Sequence, residues 1–454
     1  MKSGIRGLDD VAGGFPDRGI VVIAGGPGIG KTVMAAQFVY NGAVMFGDRG
    51  VYVSFSESKE EFYGNMLAFG MDFDELERKG LFRFLSLMIL GGKNSFTRCM
   101  DEVFESIAAI KAKRVVLDSI NAVTFAMSDE EARRFANVLR TLMKNMDAVC
   151  FLVYETSSEV KSEELGPIAF AADMVLLLRW KEEEGVKVRE LELLKTRGAP
   201  VEKASYEFDV DREHGGVWVI ALPKSIPDVG SEVVSTGLNW FDSAVGGGLR
   251  RGSLTLIKGE TGSGKTCLSA QIAIGIASAG KRCVYVSTED GESVARIIKG
   301  FNPDAELEDE RLNVVSIVPE EYGVQRIYSF FDNIVRKRRP DLLVIDSLTP
   351  FKHSIPQARL YKFLRFLQLL ARVNGLIVIA ILTLSLIEEA LETDILGLFD
   401  NMLILRNMPT DGAPHRLLFI VKVRGSDHRK TPIRLEVTSK GVTCVSEESL
   451  MPAI

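Results

Sequence analysis

Long apolar runs, paired cysteines and clustered histidines are all missing from this chain of 454 residues. Its longest apolar stretch, near residues 376–387, is far shorter than the ~20 residues that a membrane-spanning helix requires. No apolar segment typical of a signal peptide opens the sequence. The five cysteines form no Cys-x-x-Cys pair, and the four histidines lack the spacing of metal ligands. We therefore expect no membrane span and a reducing, cytoplasmic location.

Positive charge is also in short supply. The 55 Lys and Arg residues face 61 Asp and Glu residues, which gives a net charge of −6. This balance gives no general support for nucleic acid or an anionic membrane surface as a partner. The content of 46% hydrophobic and 26% charged residues is typical of a globular protein, and the length suits two or three domains.

The sequence is a tandem repeat, because four blocks recur in the same order with a nearly constant offset. The clearest block is the glycine-rich segment 25–32, which recurs at 259–266 with an offset of 265 − 31 = 234. The other blocks are 3–9, 115–119 and 195–198, which recur at 236–242, 343–347 and 422–425. Duplication of a whole domain explains this order, so we predict domains at residues 1–226 and 227–454. The break falls in a turn-rich segment near Pro227.

Strand-like and helix-like segments alternate in each copy. The predicted elements are 20–24, 32–46, 50–55 and 114–118 in the first copy, and 253–258, 266–279, 282–288 and 342–346 in the second. The last of each set, expected to be the third strand, is almost wholly apolar, which is typical of a sheet covered on both faces. The predicted fold class is therefore α/β, with a mostly parallel twisted sheet flanked by helices in each domain.

The two glycine-rich loops match the P-loop pattern, and each lies between a predicted strand and a predicted helix. Glycines let consecutive backbone N–H groups face phosphate oxygens, and the helix N-terminus adds partial positive charge. The loop residues are Gly25, Gly26, Pro27, Gly28, Ile29, Gly30, Lys31 and Thr32, then Gly259, Glu260, Thr261, Gly262, Ser263, Gly264, Lys265 and Thr266. The alternative is a glycine turn without a ligand. Because pattern and context agree twice, we predict that both domains bind ATP with Mg²⁺.

Two threonines and two aspartates are candidate Mg²⁺ ligands. Thr32 and Thr266 directly follow the P-loop lysines, which should reach the β- and γ-phosphates. Asp118 and Asp346 end apolar strands, where a carboxylate lies beside the P-loop and holds Mg²⁺ through water. The alternative is that each aspartate caps a helix, since Asp favours that position.

ATP hydrolysis also requires a group that orients or deprotonates the attacking water. The segment after the second strand offers Glu289 and Asp290 in the second copy. The first copy offers Glu57, with Ser56 at the position that matches Glu289. The sequence therefore favours the second domain as the more active ATPase.

These motifs together resemble those of KaiC-type ATPases in the RecA/RadA superfamily. The resemblance is carried by the opening Ser-Gly-Ile-x-x-Leu-Asp, Gly13-Gly14-Phe15-Pro16, the P-loop, Gly70-Met71-Asp72, the Leu-Asp-Ser block and the closing Lys-x-Arg-Gly. It covers nearly the whole chain and implies two tandem RecA-like P-loop domains. It also implies a homo-oligomer, a hexameric ring with ATP bound between neighbouring subunits.

The resemblance also assigns roles to particular residues. Adjacent glutamates after the second strand activate water in this family, which implies Glu289 as the base with Asp290 beside it, and Glu57 in the first domain. The Lys and Arg of Lys-x-Arg-Gly reach the γ-phosphate held by the neighbouring subunit. The matching residues are Lys195 and Arg197 in the first copy, and Lys422 and Arg424 in the second. Without the resemblance, a solvated strand end would be the simpler interpretation.

Two loops that would face the channel of such a ring are acidic. Loop 155–172 carries one Lys and four Glu, 1 − 4 = −3, and loop 383–399 carries four acidic residues and no basic one, −4. Binding of nucleic-acid phosphates requires Lys and Arg, so the loops argue against DNA as a partner. A DNA repair or recombination ATPase related to RecA and RadA stays open as the alternative function.

One departure from the clock members of the family concerns phosphorylation. Those members receive phosphate on a Ser-Thr pair before the last apolar strand of the second copy, and here Leu396 and Gly397 match the pair. We therefore expect no phosphorylation cycle. The predicted function is an ATP-hydrolysing ring that signals its nucleotide state to a protein partner. A further alternative is an assembly module in which ATP joins subunits and is hardly turned over.

Overall fold

Each half of the chain builds its own nine-stranded sheet. The computed structural model describes residues 1–87, 93–125, 127–157, 166–183, 185–197, 205–221, 232–307, 311–383, 393–410 and 413–445. The chain divides into two units, Met1–Ala221 and Leu222–Ile454. The predicted break near Pro227 lies outside the described residues. Within the described part of the chain, no helix is long and apolar enough to cross a membrane.

The first domain orders its strands β3-β2-β4-β5-β1-β6-β7-β8-β9. The strands are β1 (Gly19–Gly25), β2 (Gly50–Ser54), β3 (Phe82–Ser86), β4 (Arg114–Asp118), β5 (Val149–Glu155), β6 (Met174–Glu183), β7 (Val186–Thr196), β8 (Ser205–Asp211) and β9 (Gly216–Val219). The helices are α1 (Leu8–Ala12), α2 (Lys31–Phe46), α3 (Lys59–Leu67), α4 (Phe73–Arg78), α5 (Lys93–Ile110), α6 (Asn121–Thr124), α7 (Asp129–Asn145) and α8 (Gly166–Ala171). The six strands from β3 to β6 in this spatial order are parallel to one another. Strands β7, β8 and β9 continue the sheet with antiparallel pairing.

The second domain repeats this topology after a small ribbon made of β10 (Val233–Val234) and β11 (Leu249–Arg250). Its sheet strands are β12 (Leu254–Gly259), β13 (Cys283–Ser287), β14 (Leu312–Ser316), β15 (Leu342–Asp346), β16 (Ile377–Thr383), β17 (Asn401–Thr410), β18 (Ala413–Val423), β19 (Ile433–Thr438) and β20 (Gly441–Cys444). Its helices are α9 (Asn239–Val245), α10 (Lys265–Ser278), α11 (Gly291–Phe301), α12 (Val324–Arg338), α13 (Thr349–Ser354), α14 (Gln357–Asn374) and α15 (Thr393–Gly397). The strand order β14-β13-β15-β16-β12-β17-β18-β19-β20 matches that of the first domain.

The predicted α/β class and mostly parallel sheets are confirmed, with one correction to the strand count. The segments predicted as third strands, β4 and β15, are the fourth strands of their sheets in chain order, because β3 and β14 precede them in the sequence. Both missed strands form the edge of a sheet. In β3 an exposed arginine, Arg83, interrupts the apolar run, so that strand lacks the continuous apolar pattern of a central strand.

Alternation along the central strands builds two apolar layers in the first domain. Every residue of β1 is buried; Val21 and Ile23 pack on the face of α2, and Ile20 and Val22 pack on the opposite face. On the α2 face, Phe38 stacks on a phenylalanine of β5 with ring centroids 3.8 Å apart. The helix after the P-loop is therefore anchored directly on the centre of the sheet.

A glutamine ties each P-loop helix to the last hairpin of its own domain. Gln37 of α2 accepts a hydrogen bond from Val217 N at 2.8 Å and donates to Val217 O at 3.2 Å. In the second domain, Gln271 of α10 accepts from Val442 N. Gly216 and Gly441 precede these partners with φ of 126° and 117°, and a side chain there would collide with the glutamine.

Candidate nucleotide-binding sites

Both P-loops lie at the carboxyl edge of the parallel strands. The first follows β1 and the second follows β12, and each leads into a helix whose N-cap is a glycine without a side-chain cap, Gly30 or Gly264. The first backbone N–H groups of α2 and α10 therefore have no side-chain acceptor at the cap and are oriented toward the loop. The N-terminus of such a helix favours the binding of an anion such as phosphate.

The curvature of the loops leaves room for phosphate oxygens. Gly28 and Gly262 have φ of 69° and 78°, and a Cβ added to either would meet nothing within 4 Å. In the second loop, the fully buried hydroxyl of Ser263 has no hydrogen-bond partner among the described residues. The matching residue of the first loop, Ile29, belongs to the apolar core, and both side chains lie against the glycine that ends the preceding strand, so Ser263 is not directed at the phosphates.

The P-loop lysines lie inside their own loops. Lys31 Nζ donates to Gly26 O at 2.8 Å, and Lys265 Nζ donates to the carbonyls of Gly259 at 2.8 Å and Glu260 at 2.7 Å. Burial lowers the pKa of both lysines, and nearby carboxylates oppose this effect. The contact of each ammonium group with the phosphates of a bound nucleotide stays a prediction.

The strand-end aspartates lie next to the P-loops and do not cap helices. The N-cap residues of α6 and α13 are Ile120 and Leu348, so the helix-cap alternative for Asp118 and Asp346 is wrong. The hydroxyl of Thr32 donates to Asp118 Oδ2 at 2.8 Å, which joins the P-loop to the end of β4. Burial raises the pKa of Asp118. Asp346 ends β15 in the same way, and the Asp-Ser peptide bond that follows is cis in both domains.

The chemistry of these donors fits Mg²⁺. Among the described residues no group of three or more His, Cys, Asp or Glu side chains could hold a metal. The site instead offers one carboxylate and one threonine hydroxyl, and Mg²⁺ is commonly held by one or two carboxylates, phosphate oxygens and water. Asp118 with Thr32, and Asp346 with Thr266, are the residues that would hold it.

Sequence reasoning missed two tyrosines at these sites. Tyr52 OH donates to Asp118 Oδ2 at 2.6 Å, and Tyr285 OH donates to Asp346 Oδ2 at 2.7 Å. A signal for them was present, because Val-Tyr-Val-Ser occurs at both 51–54 and 284–287.

The candidate bases occupy loops of different length. Three residues separate the end of β2 at Ser54 from the helix cap Ser58, whereas two separate the end of β13 from the cap Asp290. Counting from the strands pairs Ser56 with Glu289, but counting back from the caps pairs Glu57 with Glu289. Each loop therefore presents one glutamate directly before its helix cap.

The two glutamates differ in their surroundings. Glu57 is half-buried, and burial, followed by the charges of Asp118 and Glu61, raises its pKa. Glu289 is exposed and lines an open cavity of about 920 Å³ between α11 and β14, where water has access to its carboxylate. The negative charge of Glu289 also acts on Lys265, which places this carboxylate near the second P-loop.

Asp290 has a structural contact that its predicted role did not include. Its carboxylate accepts hydrogen bonds from Glu292 N at 2.9 Å and from the hydroxyl of Ser293, and so caps α11. These bonds lower the pKa of Asp290, the one from Ser293 most strongly. Its share in water activation stays a prediction.

The Lys-x-Arg residues do not reach the P-loop of their own domain. Lys195 pairs with Val175, which pairs with Val22 of β1, three residues before the strand ends at Gly25. At ~3.3 Å per residue this lies about 10 Å back from the P-loop, toward the opposite edge of the sheet. Arg197 lies further in that direction, because β7 runs antiparallel to β6.

The second domain has the same arrangement with different ion pairing. Lys422 Nζ donates to Phe399 O at 2.7 Å, as Lys195 Nζ donates to Phe170 O at 2.7 Å. Both arginines are exposed, and Arg424 also forms an ion pair with the carboxylate of Asp400 at 3.1 Å. In both domains these cations lie away from the P-loop of their own chain.

Comparison with known protein families finds a match in each half of the chain. The family model "ATPase: KaiC" matches residues 1–224 and again residues 234–449. The chain belongs to the KaiC family of ATPases. Membership implies that it binds ATP, and the matched residues include both P-loops.

KaiC proteins of cyanobacteria are among its relatives over the full length. Circadian clock protein KaiC2 of Synechocystis sp. (strain ATCC 27184 / PCC 6803 / Kazusa) is 27% identical over 468 residues, covering 98% of this chain and 81% of the relative. KaiC3 of the same organism is 26% identical over 461 residues, covering 97% and 91%. The circadian clock oscillator protein KaiC of Synechococcus elongatus (strain ATCC 33912 / PCC 7942 / FACHB-805) is 27% identical over 466 residues, covering 97% and 88%.

Two predictions that depend on a ring concern loops that the structure describes only in part. In loop 155–172, residues 158–165 lie outside the described part of the chain, and so do residues 384–392 of loop 383–399. Their proposed place in a channel, and the argument against nucleic acid that depends on it, therefore stay predictions. The expected absence of a phosphorylation cycle also stays a prediction, and the residues that it concerns, Leu396 and Gly397, belong to the short helix α15.

Proposed function

We propose that this KaiC-family protein hydrolyses Mg²⁺-ATP as a homo-oligomeric ring, a hexamer, and signals its nucleotide state to a protein partner. The observation that carries the proposal is the distance between two halves of the machinery. In each domain the phosphate-binding loop lies at the carboxyl edge of the sheet, and the Lys-x-Arg cations lie toward the opposite edge. One chain therefore cannot supply both to the same nucleotide, whereas a neighbour can.

The residues of one chain then have distinct tasks. The P-loop and its lysine bind the phosphates. Thr32 with Asp118, and Thr266 with Asp346, would hold Mg²⁺, which would supply positive charge beside the phosphates. Glu289, and Glu57 in the first domain, accept the proton of the water that attacks the γ-phosphorus, releasing ADP and phosphate.

The cations of the neighbour complete this arrangement. Lys195 with Arg197, and Lys422 with Arg424, stabilise the charge that develops on the transferred phosphoryl group. The ranking of the two domains, with the second more active, stays part of the proposal. The alignment counted back from the helix caps pairs Glu57 with Glu289, which weakens the argument for ranking the second domain above the first.

Separate removal of the two P-loop lysines tests the division of labour between the domains. Lys265→Ala is expected to abolish most ATP turnover, because the lost ammonium group stabilises the transferred phosphoryl group. Lys31→Ala is expected chiefly to weaken the ATP-dependent oligomer. Steady-state phosphate release and mass measurement with and without ATP give the two readouts. Equal losses of turnover from both variants would reject the ranking, and an oligomer insensitive to ATP would reject the assembly role.

Mixing two inactive chains tests the contribution of the neighbour. Lys265→Ala and Arg424→Ala chains are each expected to be inactive at the second site. When they are co-assembled at random, about a quarter of the head-to-tail interfaces combine an intact P-loop with an intact arginine. Turnover at the second site should therefore reappear on mixing. Phosphate release that stays at the level of the separate chains would show that Arg424 acts within its own chain or not at all.

A further inference from the structure

Tyr52 and Tyr285 occupy the same position in the two domains and are fully buried. Each lies on the strand next to the one that ends in the aspartate: β2 pairs with β4 and β13 pairs with β15. In each domain the phenol donates to Oδ2 of the aspartate, at 2.6 Å in the first and 2.7 Å in the second. Neither tyrosine is one of the residues assigned above to binding or catalysis.

Strand alternation explains why the phenol and the carboxylate meet. Tyr52 packs in the apolar layer under α2 together with Val116. Asp118 follows Val116 by two residues, so its side chain leaves the sheet on the same face. In the second domain Tyr285 and Val344 share the layer under α10, and Asp346 follows Val344 by two residues. The tyrosine thus extends along the sheet toward the edge where the P-loop lies.

The two oxygens of each carboxylate differ in their hydrogen bonding. In Asp118, Oδ2 accepts from both Tyr52 and Thr32, while Oδ1 has no donor among the described residues. In Asp346, Oδ2 accepts from Tyr285, and its Oδ1 likewise has no donor in the described part of the chain. A carboxylate held at one oxygen by a buried donor keeps a fixed orientation and exposes the other oxygen.

We propose that Tyr52 and Tyr285 are positioning residues that orient Asp118 and Asp346 toward Mg²⁺ and thereby set the metal affinity of each site. The inference rests on the proposed function, since it assumes that the two aspartates hold Mg²⁺. Partners that hydrogen-bond to metal ligands typically change metal affinity by about 10- to 100-fold when they are removed. The tyrosines do not contact the nucleotide in this account, so metal-free ATP binding does not depend on their hydroxyls.

The second domain adds one more hydroxyl to the arrangement. Ser269 Oγ lies 2.8 Å from Tyr285 OH and 3.0 Å from the carbonyl oxygen of Thr266. At the equivalent position, counted by the P-loop offset of 269 − 234 = 35, the first domain has Ala35. The proton of Tyr285 goes to Asp346, so the single proton of Ser269 is donated either to the tyrosine oxygen or to the carbonyl of Thr266. The second domain thus offers its tyrosine a hydroxyl donor at a position where the first domain has alanine.

The test measures affinity for a non-hydrolysable ATP analogue by calorimetry, first in EDTA and then at increasing Mg²⁺. Tyr52→Phe is read in a Lys265→Ala chain, and Tyr285→Phe in a Lys31→Ala chain, so that one site is observed at a time. Each variant should need about tenfold more Mg²⁺ to reach half of the affinity gain. Affinity in EDTA should stay unchanged. An equal loss with and without Mg²⁺ would show a merely structural role and overturn the proposal.

Tyr63→Phe provides the matched control for packing. Tyr63 belongs to the same aromatic cluster as Tyr52, but its hydroxyl donates to Glu77 at 3.0 Å, so the variant should leave the Mg²⁺ dependence unchanged. In an Asp118→Asn chain, Tyr52→Phe should have no further effect, because the tyrosine acts through the aspartate. Additive effects would overturn the proposal.

The proposed function and the tyrosine assignment fail in different ways. A parent chain whose ATP affinity does not respond to Mg²⁺ would reject Mg²⁺ as the cofactor, and the inference with it. A response that both phenylalanine variants retain in full would reject the tyrosines alone.

Discussion

ATP turnover in the second domain is expected to fall by about 10²- to 10⁴-fold when Glu289 is replaced with glutamine, which is the usual contribution of a general base. The amide keeps the size of the side chain and cannot accept the proton of the attacking water. ATP binding should persist, because the P-loop is unchanged. The measurement is phosphate release in a Glu57→Gln background, so that the first domain does not mask the loss.

Asp290→Asn is the matched control for this prediction. Asparagine is as good a helix N-cap as aspartate, so α11 should keep its start, and any loss of turnover in this variant measures the share of Asp290 in water activation. If Asp290→Asn lost as much turnover as Glu289→Gln, both carboxylates would take part in water activation. A chain with both Glu57→Gln and Glu289→Gln that kept the parental rate would refute the assignment of the base in both domains.

The free energy of unfolding of the first domain should fall by about 3–5 kcal/mol when Arg114 is replaced with methionine. Arg114 is 1% exposed and pairs with Asp48 at 3.0 Å. Its guanidinium also donates to the backbone carbonyls of Lys2, Ser3 and Phe38. Methionine fills the space but removes the guanidinium from a carboxylate and three carbonyls, and leaves the carboxylate with Lys113 at 3.9 Å. Urea denaturation, followed by a probe in the first domain, measures the change in the free energy of unfolding.

Arg18→Met serves as the control for that variant. Arg18 also pairs with an aspartate, Asp147 at 2.8 Å, but both side chains are more than half exposed. An exposed pair contributes about 0–1 kcal/mol, so little stability should be lost. Losses of similar size from both variants would mean that the burial of Arg114 does not determine its contribution.

The sequence predicted those parts of the fold that depend on local pattern. A continuous apolar run or a glycine-rich loop can be recognised from its own residues. The predicted segments therefore agree with β1, β4, β12 and β15 within a residue or two at each end. Edge strands carry a weaker signal. Arg83 in β3 faces solvent, and no neighbouring residue reveals that the strand pairs with β2.

The site residues that belong to sequence motifs could be predicted. The residues whose alignment depends on where a helix begins were harder to predict. The shift that pairs Glu57 with Glu289 comes from the cap chemistry of Ser58 and Asp290, and a capping box of Ser58 with Glu61 was readable in the sequence. No sequence motif indicated the role of Arg114. Its partners come from the N-terminus, α2 and the turn after it, and only the tertiary structure brings them around one guanidinium.

The glutamine that ties the first P-loop helix to its closing hairpin also has a consequence during synthesis of the chain. Gln37 and Val217 are 180 residues apart, so α2 emerges from the ribosome long before the strand that holds it. Once β9 has emerged, the first domain has all its own partners, while most of the second is still untranslated. A nascent chain is therefore expected to gain its two nucleotide sites one after the other, and ATP can stabilise the first half before the second exists.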